Sequence, residues 1–431
     1  MILYIMNTSL EMVKVVDTTS SVIWTRRYFE SGDFEIYMKA DSEVLKYLVP
    51  DNFVKRFDSE MVGIIEKVEV NTDPENGDYI TVSGRDLKSL LTRRIVWNQT
   101  NVSGSVKECL EKLIRENVIS PTLATRKIDN FVLGTYDTGS DVTMSAQYTG
   151  NVLYDVIVDV CKSYGYGWNV KLNEDNQFVF EMFEGLNRSY EQTENTFVVF
   201  SPDFNNLLGT NYMKDKLSEK NSVNVAGEGE GRLRRSLGVG TTPGLLRREQ
   251  FVDARDITSD TGIEVTERVL VSSEYGYWDF GNYIYKISSV TVDGESTSNY
   301  THNNPYWNNR RVYFHDLDPG WEVSDSGEIT EFEKYYEVVI TYNKGLSPTE
   351  YNVLLNRRGL EKLAEMTSSE SFDGDVDSTH QYILDKDFFV GDIVQVVNEY
   401  GLEASPRILE IIECEDENGI TVVPTFETWE V

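Results

Sequence analysis

From Asp33 to Ala40 the chain reads DFEIYMKA, with Phe34, Ile36, Met38 and Ala40 at the even positions and Asp33, Glu35, Tyr37 and Lys39 between them. A period of two predicts a strand buried on one face. Ser31-Gly32 supplies the turn before it, because glycine takes positive φ at little cost. Two adjacent arginines, Arg26 and Arg27, stand just ahead of that turn. The segments MVGIIEKVEV (61–70) and DYITVSGRD (78–86) flank a connector carrying Pro74 and Asn76-Gly77, which predicts a hairpin. Leu87, Leu90 and Leu91 then share one helical face, so the first hundred residues read as sheet closed by a short helix.

The period changes after residue 101. Ser105 and Glu108 form a capping-box pattern ahead of VKECLEKLIRENV, whose Val106, Leu110, Leu113 and Ile114 line one side of a helix. A second helix is predicted over NVLYDVIVDVCKSYG, with Val152, Leu153, Val156, Ile157 and Val160 as its stripe and Gly165 placed to end it. WNVKLNEDNQFVFEMF follows as a hairpin, so residues 101–196 read as an α+β region. From FVVFSPDF (197–204) onward glycine recurs, and between Gly227 and Gly244 it is too frequent for a packed strand; a mobile loop between two strands is expected there.

Residues 262–345 form a tyrosine-rich β module with strands in YIYKISSVTVDG, RRVYFHDL and YYEVVITYNKG. Ser347-Pro348-Thr349-Glu350 supplies an N-cap, a proline at the first helical position and an acid at N3, opening the helix TEYNVLLNRRGLEKLAEM. FFVGDIVQVVN, RILEIIECED and GITVVPTF close the chain as three strands, with a hairpin at Glu417-Asn418-Gly419. At 431 residues, three or four modules of ordinary size are expected.

Charge narrows the partners. With 72 acidic and 40 basic residues the formal charge is −32, which argues against the chain wrapping nucleic acid by neutralising phosphates. Two uses of such a charge stand open: solubility by self-repulsion, or a negative channel wall past which DNA slides without sticking. Arg232, Arg234, Arg235, Arg247 and Arg248 reverse the sign locally, either as a solvated loop or as a surface for an acidic partner or neighbouring subunit. Cys109, Cys161 and Cys414 lie far apart without a CxxC spacing, so neither a disulfide framework nor a structural zinc site is predicted. The N-terminus lacks a basic n-region, so no signal peptide is expected, and no stretch approaches the ~18 apolar residues of a membrane span.

No catalytic constellation stands in the sequence. His302, His315 and His380 are isolated from one another and from cysteine. GEGEGR (227–232) lacks the Lys-Ser/Thr ending and helical context of a phosphate loop. DGDVD (373–377) offers alternating aspartates, but Ser378 stands where a calcium loop needs glycine and Leu384 where it needs glutamate, so a solvated loop is expected. Paired carboxylates of the glycosidase kind carry no specificity among 72 acids. No catalytic residue, metal ligand or cofactor-binding residue is assigned, and no enzyme activity is expected.

Several segments taken in order carry a resemblance: IWTRRYFESGDFEIYMKA, VSGRDLKSLLTRRIV, FSPDFNNLLGTNYMKDKLSEKNSVNVAGEGEGR with REQFVDARDI, and DFFVGDIVQVV. Together they resemble the tail hub proteins of long-tailed bacteriophages and prophages, which are similar to the baseplate hub subunits of contractile tails. The resemblance covers most of residues 1–260 and 346–431, on structural rather than catalytic motifs. It implies a β-rich α+β fold: two barrel-like hub modules, an inserted α+β domain and an extra small β module. The first hub module would span 1–100, completed by 197–261; the α+β domain 101–196; the inserted β module 262–345; the second hub module 346–431.

The resemblance further implies a homotrimeric ring at the virion tail tip, synthesised in the host bacterial cytoplasm. Two barrel-like modules per subunit would make the ring pseudo-hexameric, so that it adapts the sixfold tail tube to threefold tip components. A ring also pairs or covers strand edges that a monomer leaves open. Its partners would be tail tube or distal tail proteins, the tape-measure protein and spike or fibre proteins, with DNA passing through the channel without specific binding and no membrane span. Arg26 and Arg27 would lie near a module boundary where acidic neighbours pair with them. Residues 262–345 have no counterpart in the motif series, and no appended hydrolase or fibre is expected before Val431. Two other readings stay open. One makes 262–345 a carbohydrate-contacting module through Tyr275, Tyr277, Trp278, Tyr306 and Trp307, against the alternative that these rings fill a small core. The other is a carboxylate-dependent cell-wall hydrolase.

Overall fold

The strand expected from residue 33 runs Asp33–Lys39 and pairs antiparallel with Thr19–Arg27 on one side and Gly77–Asp86 on the other. Phe34, Ile36 and Met38 are buried while Glu35, Tyr37 and Lys39 are exposed, as the alternation requires. The computed structural model describes residues 2–57, 60–73, 77–302, 309–376, 382–417 and 419–427. Pro74, Asn76, Tyr306, Trp307, Asp377, Ser378, His380, Asn418 and Val431 lie outside the described residues. The chain is β-rich, with 47% strand and 17% helix.

Asp33–Lys39 lies within an 11-stranded sheet. Its order is Leu207–Asp215, Ser369–Val376, Gly419–Glu427, Arg407–Asp416, Thr19–Arg27, Asp33–Lys39, Gly77–Asp86, Val62–Asp73, Phe53–Arg56, Leu3–Met6 and Met12–Val16. Two cores sit on this sheet. Leu3, Val16, Trp24, Phe34, Ile36, Ile65 and Val82 belong to the first, so side chains from both ends of the run Thr19–Arg27 to Met12–Val16 meet in one cluster. Trp24 and Phe34 stack at 5.0 Å inside it. The second core gathers Val198, Phe200, Leu207, Phe388, Val394, Ile408, Ile411 and Phe426. At about 1.5–3 kcal/mol for each fully buried side chain of this size, each cluster rewards closure strongly.

Residues 197–215 take partners that their local pattern does not specify. Val199–Phe200 pairs parallel with Gln395–Val397, and Leu207–Asp215 pairs antiparallel with Ser369–Val376. They therefore complete the C-terminal core rather than that of the first hundred residues, because Val198, Phe200 and Leu207 are buried there. Asp373 and Asp375, expected in a solvated loop, lie on the strand Ser369–Val376.

The α+β region follows its patterns closely. Val106–Ile114 is a helix closed by the reciprocal Ser105–Glu108 box and continued by a wider turn over Arg115–Ile119. Leu153–Tyr164 ends at Gly165, whose φ of 73° is the left-handed cap. Gly167–Leu172 and Phe178–Phe183 pair antiparallel, and Phe131–Leu133 adds a parallel third strand.

Residues 145–149 and 221–360 form a second unit. Residues 221–261, expected with the first hub module, and 346–360, expected with the second, belong to it. The glycine-rich segment is not a mobile loop: Ser236–Val239 pairs antiparallel with Ser222–Ala226, which pairs parallel with Glu249–Asp253. Glycine serves close approach here. A Cβ on Gly240, at φ +95°, would lie 2.2 Å from the Asn221 carbonyl oxygen. A six-stranded sheet built on Asp260–Ser272, Tyr277–Val292 and Tyr335–Gly345 encloses Val271, Phe280, Ile284, Val312, Phe314, Ile340 and Tyr342. Ser347 and Glu350 cap each other's backbone at the start of the helix Pro348–Ala364, at 2.7 and 3.2 Å.

Candidate functional site

The two arginines ahead of the Ser31-Gly32 turn lie where the two cores meet. Arg26 and Arg27 close the strand Thr19–Arg27, opposite Ile411 and Glu410 in the antiparallel register. Arg27 donates from Nε to Glu410 at 2.5 Å and from Nη1 to Asp33 at 2.6 Å. Partial burial works against its charge, but the Asp33 hydrogen bond and the field of Glu410 hold its pKa above the ordinary guanidinium value. Arg26 donates to Asp385 at 2.8 Å and reaches Glu413 at 3.5 Å. Acidic neighbours thus pair with both arginines.

The turn that follows is held from beneath. Lys88, 2% exposed, donates its three ammonium protons to the carbonyl oxygens of Arg27, Tyr28 and Glu30 at 2.7, 3.4 and 2.8 Å. Burial brings its pKa down to about 8, against the opposing pull of Asp86. All its donors are committed to backbone, so it stands as a structural ammonium rather than a free amine nucleophile. Asp86 accepts from Ser31 Oγ at 2.7 Å, from Gly32 N at 2.8 Å and from Lys88 N at 3.0 Å; burial pushes its pKa up. Gly32 is obligatory, since a Cβ there would lie 2.1 Å from the Thr25 carbonyl oxygen.

A cleft of about 720 Å³ opens beside this junction, lined by Trp24, Arg26, Arg56, Arg188, Asp392 and Glu413 among others. Three of its carboxylates are committed to arginines: Asp392 to Arg188 at 2.7 Å, Glu413 to Arg56 at 3.0 Å and Asp385 to Arg26 at 2.8 Å. Asp392 also accepts the backbone N–H groups of Leu186 and Phe389. Such a lining suits rigid joining or the capture of a charged side chain more than proton transfer. Among the described residues no group of three or more His, Cys, Asp or Glu is arranged to hold a metal ion.

Other residues singled out in the sequence fall elsewhere. Of the arginine-rich segment, Arg234 donates to Asp253 at 2.6 Å and to the carbonyls of Ala226 and Gly227; Arg235 is buried 3.9 Å from the Tyr351 ring centre; Arg247 pairs with Glu249 at 2.5 Å. Arg232 is exposed. Hydrogen bonding to Arg255 and Arg234 holds the Asp253 carboxyl well below the usual range. Within GEGEGR, the Glu228 carboxylate accepts from Ser259, so that segment is tied down rather than open for phosphate. His315 hydrogen-bonds Thr301 at 2.6 Å, and His302 lies on the strand Tyr300–His302. Cys109 and Cys161 are buried free thiols, Cys414 is half-buried, and burial pushes the Cys161 thiol up.

Tyr275, Tyr277 and Trp278 do not build the core of their module. Tyr275 and Trp278 are 61% and 39% exposed, and Tyr277 lies between Tyr275, Tyr313 and the Arg311 guanidinium. Sequence reasoning missed Arg56, Lys88, Arg188, Asp392 and Glu413. Only Asp86, as a cap ahead of a leucine-rich turn, carried a local signal.

Comparison with known proteins supplies the class. Three solved structures align with nearly the whole chain at low identity: the 43 kDa tail protein of prophage MuSo2 from Shewanella oneidensis (10% identity, 99% of this chain and 98% of that one, TM-score 0.47), the tail protein from Neisseria meningitidis MC58 (11%, 99% and 96%, 0.49) and prophage tail protein gp18 from Listeria monocytogenes EGD-e (10%, 99% and 94%, 0.46). No curated protein sequence matches the chain. Residues 2–426 match the family described as Siphovirus ReqiPepy6 Gp37-like protein. The class is thus that of siphovirus proteins. Within it, the chain belongs to the Siphovirus ReqiPepy6 Gp37-like family.

Proposed function

We propose that this protein is a structural hub of the tail tip, three copies of which close a ring that joins a sixfold tail tube to threefold components and surrounds the DNA channel. The observation that carries the reading is the single 11-stranded sheet with two separate cores, joined through the pairing of Thr19–Arg27 with Arg407–Asp416. One chain then supplies two β modules in fixed relation, and three chains supply six. The buried and half-buried ion pairs at that junction resist rotation of one module against the other. The formal charge of −32 suits a lumen that repels phosphate, so that DNA passes without binding. Tail tube and distal tail proteins, a tape-measure protein and spike or fibre proteins are the partners this role requires. Among the described residues no helix is long and apolar enough to cross a membrane. Electron microscopy of the purified protein, alone and on tail particles, tests the reading. A threefold ring around an acidic lumen is expected; a basic lumen, or a site on the particle away from the tail tip, would overturn it.

The exposure of Tyr275 and Trp278 favours a second reading for residues 262–345, as a contact for a wall carbohydrate, since exposed aromatic faces stack on sugars. Pull-down of the full chain on host-wall glycans tests it. Retention unaffected by Tyr275→Ala and Trp278→Ala removes it.

A further inference from the structure

The second unit carries two exposed surfaces of opposite charge, each with an apolar centre. The first is the hairpin of Gly320–Val323 and Ile329–Phe332, in which Trp321 faces Glu331 and Val323 faces Ile329 across the strands. Those four positions share one side, where Trp321, Val323 and Ile329 are 60%, 65% and 64% exposed. From Asp316 to Lys334 the chain holds seven carboxylates and one lysine. The second surface is the turn Gly244–Leu246 and the strand Glu249–Asp253 that follows it at the edge of its sheet. Leu245 is 100% exposed, Leu246 68% and Phe251 53%. From Gly231 to Arg255 six arginines stand against two carboxylates.

Scattered exposed apolar side chains are ordinary on a protein surface, but clusters framed by charge mark contact sites. We propose that the acidic hairpin of one copy docks on the arginine-and-leucine turn of the next, making a head-to-tail contact between copies of this chain. Charge selects this pairing. Hairpin against hairpin would set seven carboxylates against seven, and turn against turn would oppose two arginine clusters, so neither surface suits a two-fold contact with itself. Hairpin against turn joins a net −6 segment to a net +4 segment and buries Trp321, Val323 and Ile329 against Leu245, Leu246 and Phe251. A contact between two different surfaces propagates from copy to copy and closes when the rotation allows, which is how rings form. The Arg247–Glu249 pair is exposed, so exchanging Glu249 for an incoming carboxylate costs little. The proposal rests on the reading of the chain as a ring former.

The test uses the full chain in sedimentation velocity over a range of concentration and salt. One variant carries Asp325→Lys, Glu328→Lys and Glu331→Lys; the other carries Arg232→Glu and Arg247→Glu. Each alone is expected to associate ~10-fold more weakly than the parent, and an equimolar mixture to regain complexes neither forms alone. Leu245→Ser, a milder change, should weaken association without charge repulsion, and thermal melting confirms that every variant folds. If the parent associates and the variants do so equally, or if the mixture regains nothing, the contact is wrong while the ring reading stands. A parent chain that stays monomeric throughout overturns both.

Discussion

Arg56 and Glu413, 357 positions apart, meet at 3.0 Å with 8% and 9% of their side chains exposed. The pair ties Phe53–Arg56, in the first core's run of strands, to Arg407–Asp416, which carries Ile408 and Ile411 of the second. Removing one partner leaves the other charge buried and uncompensated. Glu413→Ala and Arg56→Ala are each expected to cost about 3 kcal/mol or more in urea unfolding. The double variant Arg56→Met with Glu413→Leu should cost less than the two single losses combined. Strict additivity would show that the two groups are not coupled.

The turn at Gly32 gives a sharper contrast. A Cβ there would meet the Thr25 carbonyl oxygen at 2.1 Å, whereas one on Gly238 would meet nothing within 4 Å. Gly32→Ala should lower stability by more than ~2 kcal/mol, because backbone must shift, and Gly238→Ala should stay within ~0.5 kcal/mol of the parent. Equal melting temperatures for the two variants would contradict the close approach.

Asp159 sets a pH dependence of known sign. Burial pushes its carboxyl up to about 7, with Lys362 at 3.8 Å opposing and Glu365 and Glu361 adding to the rise. An unfolded aspartate titrates near ~3.9, so between about pH 4 and 7 the folded state holds a proton that the unfolded chain lacks. This group's contribution is complete below that window and is lost as pH rises through 7. Asp159→Asn should flatten the stability profile across the window and raise the melting temperature at pH 8 by ~2–4 °C. Parallel profiles for variant and parent would refute the assignment.

Lys88→Met removes the donors that hold the carbonyls of Arg27, Tyr28 and Glu30. A loss of ~2–4 kcal/mol is expected, with the first effect being faster amide exchange through residues 28–32. Unchanged exchange there would mean that the turn does not depend on the ammonium.

The sequence disclosed what depends on near neighbours. The alternation over 33–39, the Ser105–Glu108 and Ser347–Glu350 boxes and the cap at Gly165 each involve residues within four positions or one repeating period, and all appear in the structure; Ala40, expected on the buried face, is exposed just past the strand's end. Strand partners across the chain were hidden. Nothing in FVVFSPDF states that Val199–Phe200 will lie beside Gln395–Val397, because the hydrophobic period specifies a face to bury and not the strand that covers it. The strand Ser236–Val239 was obscured by the glycines in and around it, of which Gly240 serves a close approach to Asn221 while Gly238 meets nothing within 4 Å. The charged junction was hidden for the same reason as the pairings: Arg56 meets Glu413, and Arg188 meets Asp392, only across hundreds of residues.

A ribosome delivers Thr19–Arg27 nearly four hundred residues before Arg407–Asp416 emerges to lie against it. Until then, one flank of that strand has its backbone donors and acceptors facing water or another nascent chain. The joint that holds two modules in one protein is therefore also a pairing available only late in synthesis, and premature release or slow synthesis should show first as aggregation through this flank.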